Sequence, residues 1–311
     1  MVRLGRLVRF SIDPFLDEDC PGSNSYASKP AGEGLTIFLE LAVELIGPVT
    51  PETGLLVNVR DIDRAVRRFA VPVFARQIRE HLRRGEHIPL RMVAQILWSA
   101  RERLADKFEP AQTDNGGPPG VGCAVHTDSA SDATGMVCTA HPTLSIHGCR
   151  VDRMSVKLNP FRKLTMDTKA PGVMYFSEKF EFAATHKLWN DAFSGQQNFE
   201  VFGKCANPTG HGHNYIVEVT VATPADGPAL KVGEFERIVD SHLMQLVDHK
   251  NLNLDVPEFQ QRIATVENLA IFAWERLSGR FDPGRLHCIT VWESDRTYCS
   301  YYGPVGSDHA T

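Results

Sequence analysis

NPTGHGHNYIVEVTVAT, residues 207–223, sets two histidines one residue apart at the head of an alternating run. Alternation with period two is the pattern of a strand buried on one face. Residues i and i+2 of a strand point the same way, so His211 and His213 project side by side on the face of Tyr215, Val217 and Val219. Gly212 between them lets backbone or ligand approach closely. The pair is either a surface coincidence or two metal ligands. A third candidate is His186, at the end of FSEKFEFAATH (176–186), another alternating stretch that strand pairing would bring to the same place. Three histidines around an open fourth position is the arrangement of a catalytic zinc site.

Working outward, the chain contains a weak internal repeat. Val59-Arg60-Asp61-Ile62-Asp63-Arg64-Ala65-Val66 aligns with Val232-Gly233-Glu234-Phe235-Glu236-Arg237-Ile238-Val239, 173 residues on. Val93-Ala94 and Trp98 align with Leu269-Ala270 and Trp274, 176 residues on, so register is kept across the pair. Both segments are short amphipathic helices, and chance similarity is the competing explanation. An alternating strand precedes the first helix of each half, GLTIFLELAVEL (34–45) and HNYIVEVTVAT (213–223). Each half therefore reads as two strands, two helices and a closing strand pair: MSVKLNPF and KLTMDTKA in the first, HCITVWES and RTYCSYYG in the second. Trp98 and Trp274 are expected to fill matching core positions. Residues 114–149 between the halves are rich in Gly, Pro, Ser and Thr and read as an inserted loop.

Composition limits the function classes. The chain has 311 residues, enough for two units of ordinary size, with 42 % hydrophobic and 23 % charged residues, as in a globular protein with a sizeable core. A net charge of −5 carries no basic footprint for nucleic acid. No apolar run approaches a membrane span, and the opening MVRLGRLVRF lacks the continuous apolar region of a signal peptide. Seven scattered cysteines do not form a disulfide framework, which places the protein in a reducing cytoplasm.

Further polar residues gather around the histidines. Cys205, in FGKC, is either a fourth ligand that would close the site or a thiolate base whose pKa a metal and Lys204 would lower. Asp248-His249 follows the amphipathic stretch EFERIVDSHLMQLV and is either a surface pair at a helix end or an acid–base pair. The first half has no histidine before His81 and cannot repeat the His-x-His pair. In the insertion, Cys123, His126, Cys138, His141, His147 and Cys149 have spacings that suit a small second zinc site, but no aromatic or apolar core accompanies them.

FEFAATHKL, FGKCANPTGHGHNYIVEVTV, VDHKNLNLD, TVENLAIFAWERL and VWESD occur in the order and spacing of one family. From about Met174 to Gly303 the chain resembles the 6-pyruvoyl-tetrahydropterin synthases, a family that includes the 6-carboxy-tetrahydropterin synthases of queuosine biosynthesis. The first half is similar only in architecture and reads as a degenerate copy, giving residues 1–170, with an inserted loop at about 112–148, and a catalytic unit at 171–311.

The resemblance implies an α+β class and a tandem T-fold, or tunnelling fold. Each half would be a four-stranded antiparallel sheet with two helices on one face, oligomerising into a β-barrel as a trimer or hexamer of tandem chains. It implies a zinc-dependent lyase acting on 7,8-dihydroneopterin triphosphate, releasing triphosphate and giving a 6-pyruvoyl- or 6-carboxy-tetrahydropterin. By position His186, His211 and His213 match the zinc ligands, Cys205 the catalytic thiol, and Asp248 and His249 its catalytic partners. Glu293 matches the carboxylate that anchors the pterin, and Thr265 and Glu267 the segment lining its pocket. Lys187, Lys204 and Lys250 lie near these motifs and are candidates for the triphosphate. ADGPALKVGEFER departs from the family before the helix of the second half, and the long C-x5-H-x-H loop is that of the pyruvoyl-forming enzymes. The competing function is a zinc- or pterin-binding regulator descended from the enzyme.

Overall fold

A computed structural model describes residues 1–15, 35–109, 148–228 and 230–304. Of the cysteines and histidines noted in the insertion, only Cys149 falls among these; it is a buried free thiol.

The first strand is the opening stretch itself, β1 (Val2–Ile12), considered in the sequence only as a signal peptide. Its alternate residues Val8, Phe10 and Ile12 are buried. After β2 (Ile37–Gly47), α1 (Val59–Ala65) runs through a π-turn at Val66–Ala70 into α2 (Val71–Arg83), and α3 (Leu90–Phe108) follows. Strands β3 (Arg150–Lys157) and β4 (Arg162–Asp167) close this set.

The second set begins with β5 (Val173–His186), α4 (Gly195–Phe202) and β6 (His211–Pro224). Then α5 (Val232–Val239) passes through a π-turn at Asp240–Met244 into α6 (Gln245–Val247). The two-residue β7 (Lys250–Asn251), α7 (Leu252–Asp255), α8 (Val266–Leu277), β8 (Arg285–Ser294) and β9 (Thr297–Tyr301) complete it.

The long strands form one antiparallel sheet in the order β1-β2-β3-β4-β5-β6-β8-β9, with β7 paired parallel to β5. The two sets match in detail. Each first helix widens into a π-turn, where the N–H of Val71 reaches Val66 and that of Gln245 reaches Asp240. The first turn lets Pro72, which has no N–H to give, follow directly in α2. Each set also has a β-bulge at the same place, between Glu44 and Leu45 of β2 and between Thr220 and Val221 of β6.

One face of the sheet meets the helices and forms a continuous apolar core. Phe235 of α5 is its centre in the second set, with ring centroids 5.0 Å from Phe176 and 5.2 Å from Phe281. The other face carries polar cross-strand pairs, among them Arg9–Glu40–Lys157, Lys163–Glu218, Ser177–Thr220 and Thr290–Ser300.

The two tryptophans do not fill equivalent packing positions. Trp274 is buried, 5.6 Å from the Tyr301 ring, and a Cβ at Gly303 would come within 2.5 Å of it. Trp98 is half-buried and donates its indole N–H to Glu102 at 3.0 Å. An indole with its own polar partner can stay at the surface, because that N–H needs no place in the core.

Removing the central ring tests this packing. Phe235→Ala is expected to cost roughly 3–5 kcal/mol in urea unfolding, because it empties the space between three phenylalanines.

Candidate metal centre

Pairing of β5 with β6 puts His186 opposite His211 and Ala184 opposite His213. Strand β8 lies on the far side of β6, and its ladder with β9 bulges between Trp292 and Ser294. The residue left out of the pairing is Glu293, and a bulge of this kind re-aims a side chain. His186 Nε2 lies 3.1 Å from His211 Nε2 and 3.3 Å from Glu293 Oε1. His213 Nε2 lies 3.2 Å from the same carboxylate oxygen. One nitrogen from each histidine and one oxygen of Glu293 all fall within 4.8 Å of one another.

These residues fit a metal ion. His186 is fully buried, and its Nδ1 donates to the Ala264 carbonyl at 2.7 Å, which leaves Nε2 bare and facing the cluster. His213 Nε2 and His211 Nδ1 are buried without hydrogen-bond partners. Burial and the neighbouring imidazoles hold His211 and His213 below the ordinary histidine range, so both stay neutral with a lone pair to give. The neighbouring imidazoles, His186 first and then His213 and His211, outweigh burial and hold Glu293 below the usual carboxylate range. Tyr215 stacks on Phe182 beneath the cluster, with its hydroxyl 3.4 Å from His186 Nδ1.

Glu293 is therefore a member of the cluster as well as the expected pterin anchor. Cys205 is not among the four residues whose ligand atoms converge. Cys205 sits on the 3-10 turn Gly203–Ala206 that follows α4. Its carbonyl accepts from the Leu188 N–H at 2.9 Å, fixing the turn beside the end of β5. Its thiol lies above the ordinary range, pushed up by burial and by the charge of Glu293. The lowering expected from Lys204 does not appear, because burial and then the charge of Glu293 set the direction.

Asp248 and His249 follow α6 and are joined, His249 Nδ1 to Asp248 Oδ2, at 2.9 Å. The Asp248 carboxylate also accepts from the Ala183 N–H, and His249 N–H donates to the Ala183 carbonyl at 2.7 Å. These bonds overcome burial and hold Asp248 below its ordinary range. His249 adopts φ +57°, the left-handed region, so its backbone is fixed by these contacts at some cost. Its ring is exposed and shares a cleft of about 480 Å³ with His213, Gly212 and Lys250.

Thr265 and Glu267 lie at the start of α8, outside the four-residue cluster. The Thr265 oxygen accepts from the Asn268 N–H and caps the helix, and it is the neighbouring Ala264 carbonyl that holds His186. Lys187 places its ammonium 4.0 Å from the Trp189 ring centroid. Asn253 brackets the Lys187 backbone, accepting from its N–H at 2.7 Å and donating to its carbonyl at 3.0 Å. Neither Asn253 nor the Ala264 carbonyl was singled out in the sequence, although both lie inside or beside the motifs NLNLD and TVEN.

Counting from the matching bulges, the positions of His186, His211, His213 and Glu293 correspond to Pro14, Leu35, Ile37 and Leu158 in the first set. None of these side chains can hold a metal.

The family model for 6-pyruvoyl tetrahydropterin synthase matches residues 175–304, the part that carries this cluster. The chain is similar to human 6-pyruvoyl tetrahydrobiopterin synthase, 38 % identical over 130 residues, covering 41 % of this chain and 90 % of the human protein. It is 38 % identical to the Drosophila melanogaster protein of the same name over 136 residues, covering 42 % of this chain and 81 % of that one. Among solved structures, Caenorhabditis elegans 6-pyruvoyl tetrahydropterin synthase matches with a TM-score of 0.40 and 32 % identity, covering 42 % of this chain and 96 % of that one. Through its C-terminal part the chain belongs to the 6-pyruvoyl tetrahydropterin synthase family.

Gly210 offers a test of the centre that leaves every ligand in place. It has φ +70°, and an added Cβ would lie 2.7 Å from the His186 carbonyl oxygen. Gly210→Ala is expected to displace the strand ends carrying His186 and His211 and to lower metal content in elemental analysis by about tenfold, the scale of a lost supporting contact.

Proposed function

We propose that the C-terminal half is a zinc-dependent lyase that converts 7,8-dihydroneopterin triphosphate to a 6-substituted tetrahydropterin with loss of triphosphate. The observation that carries this is the convergence of His186, His211, His213 and Glu293 inside the stretch matched to the family. The names of the human and Drosophila relatives favour the 6-pyruvoyl product, and with it tetrahydrobiopterin biosynthesis, over the 6-carboxy product of the queuosine route.

Zinc held by the three histidines would supply Lewis acidity to the substrate's side-chain hydroxyls and a positive charge that draws Cys205 toward its thiolate. Cys205 then takes or relays a proton. Asp248 fixes the tautomer and orientation of His249 through the 2.9 Å bond, and His249, exposed on the cleft it shares with His213, exchanges the second proton. Glu293 accepts two N–H bonds from the pterin edge, and Thr265 and Glu267 line the pocket beside it. Lys187, Lys204 and Lys250 supply positive charge for the triphosphate.

Residues 1–170 are, in this reading, a degenerate T-fold copy, and residues 171–311 the catalytic one. The matching π-turns and bulges support the tandem arrangement. Among the described residues, strands β1 and β9 end the sheet, which favours closure with further copies into a barrel, as a trimer or hexamer. No helix among the described residues is long and apolar enough to cross a membrane, and a cytoplasmic setting without nucleic acid is part of the proposal. A pterin- or zinc-binding regulator remains the second reading, favoured by the loss of all four ligand positions from the first half.

Mass spectrometry of the products from 7,8-dihydroneopterin triphosphate decides between them. Zinc-loaded protein should form the 6-pyruvoyl product, chelation should abolish it, and Cys205→Ala should reduce turnover by roughly 10²–10⁴-fold, the usual worth of a proton-transferring group. Tight pterin binding without turnover would overturn the enzyme and leave the regulator.

A further inference from the structure

The junction between β4 and β5 opens a second cleft, of about 460 Å³, away from the metal centre. Its charges are unevenly matched. Glu178 is 6 % exposed; its Oε1 lies 2.9 Å from Arg162 Nε, while its Oε2 is buried without a hydrogen-bond partner. Glu236 also contacts Arg162. Asp240, at the start of the π-turn, lines the same cleft and accepts from Gln245 Nε2 at 2.8 Å. Lys179 lines it as well, but its ammonium lies 4.7 Å from the centroid of the Trp292 ring, turned from the Glu178 side as adjacent strand residues are. Three carboxylates thus face one guanidinium.

The first half has the same place and fills it from its own chain. Glu178 pairs with Val219 and Arg6 with Val43, and each valine directly precedes the matching bulge. The helix alignment equates Glu236 with Asp63 and Asp240 with Arg67. There Asp63 is completely buried and held by two guanidinium groups, Arg6 Nη2 at 3.1 Å and Arg67 Nε at 2.8 Å. In the second half both arginines are replaced by acids.

We propose that this cleft binds a small organic cation, a guanidinium group on an apolar body, whose donors stand where Arg6 and Arg67 stand in the first half. A planar fork of N–H donors can serve Glu178 Oε2 and Glu236 together, and a buried carboxylate oxygen left without a donor is costly. Phe161, Phe180 and Met244 give the cleft apolar walls for the body of the ligand. The volume is that of a small-molecule site. A bare metal ion fits poorly: among the described residues, only the histidine cluster brings three or more ligand atoms close enough to share one.

Calorimetric titration of the full chain with butylguanidinium, against its neutral isostere butylurea at fixed ionic strength, tests this. The expected result is saturable one-site binding of the cation alone. Glu236→Gln should weaken it ~10-fold, as loss of a charged partner does. Asp240→Arg should abolish it by restoring the first half's residue, and His211→Ala should leave it intact. Glu236 is 42 % exposed at its side chain and the change to Gln is isosteric, so that variant keeps the test open if Asp240→Arg disturbs the π-turn. Equal binding of butylurea, an absence of saturation, binding untouched by Glu236→Gln, or binding lost with His211→Ala would each overturn the proposal.

Discussion

The ladder between β5 and β6 is the constraint on which the rest depends. Fourteen residues of each strand pair without a slip, from Val173 opposite Pro224 to His186 opposite His211. A shift of β5 by one residue would turn His186 away from His211 and send Phe176 and Phe182 out of the core together. The apolar face that packs under α5 and α8 therefore also sets the geometry of the metal centre. The centre lies where that ladder ends, so the core supplies its register while the histidines stay within reach of a cleft.

Around the ladder, His186, Asp248, His249 and the turn of Cys205 are each held by backbone. The Ala264 carbonyl fixes the tautomer of His186, the backbone of Ala183 fixes Asp248 and His249, and Leu188 fixes the turn of Cys205. Backbone groups of packed elements move little, so the Ala264 carbonyl can hold His186 at close approach to His211. The electrostatics follow the same logic: neutral histidines beside an ionised Glu293 are a donor set, and a thiol raised by that same carboxylate stays protonated until positive charge arrives.

The two sets of elements share their π-turns and bulges and differ in the residues that stand at matching positions. In the first, Pro14, Leu35, Ile37 and Leu158 stand at the ligand positions, and Arg6 and Arg67 neutralise the buried Asp63. In the second, ligands and acids occupy those places. The shared π-turns and bulges keep these positions comparable, while the second set adds α4, β7 and α7 around them.

The sequence by itself determined much of this. Period-two alternation is local, so the strands at 34–45, 176–186 and 213–223 and the common face of His211, His213 and Tyr215 were legible from it. The motif blocks pointed to His186, Cys205 and Asp248-His249 as one group. Strand β1 was legible in principle through Leu4, Val8, Phe10 and Ile12, but Arg6 breaks the pattern on its buried face, and only Asp63 on a distant helix explains why an arginine is tolerated there. What the tertiary structure alone decided are contacts across long separations: Glu293 at 3.2 and 3.3 Å from the histidines, the Ala264 carbonyl behind His186, and the cleft where β4 meets β5. No local period encodes such meetings, because they depend on a bulge, a helix start and the order of strands in the sheet.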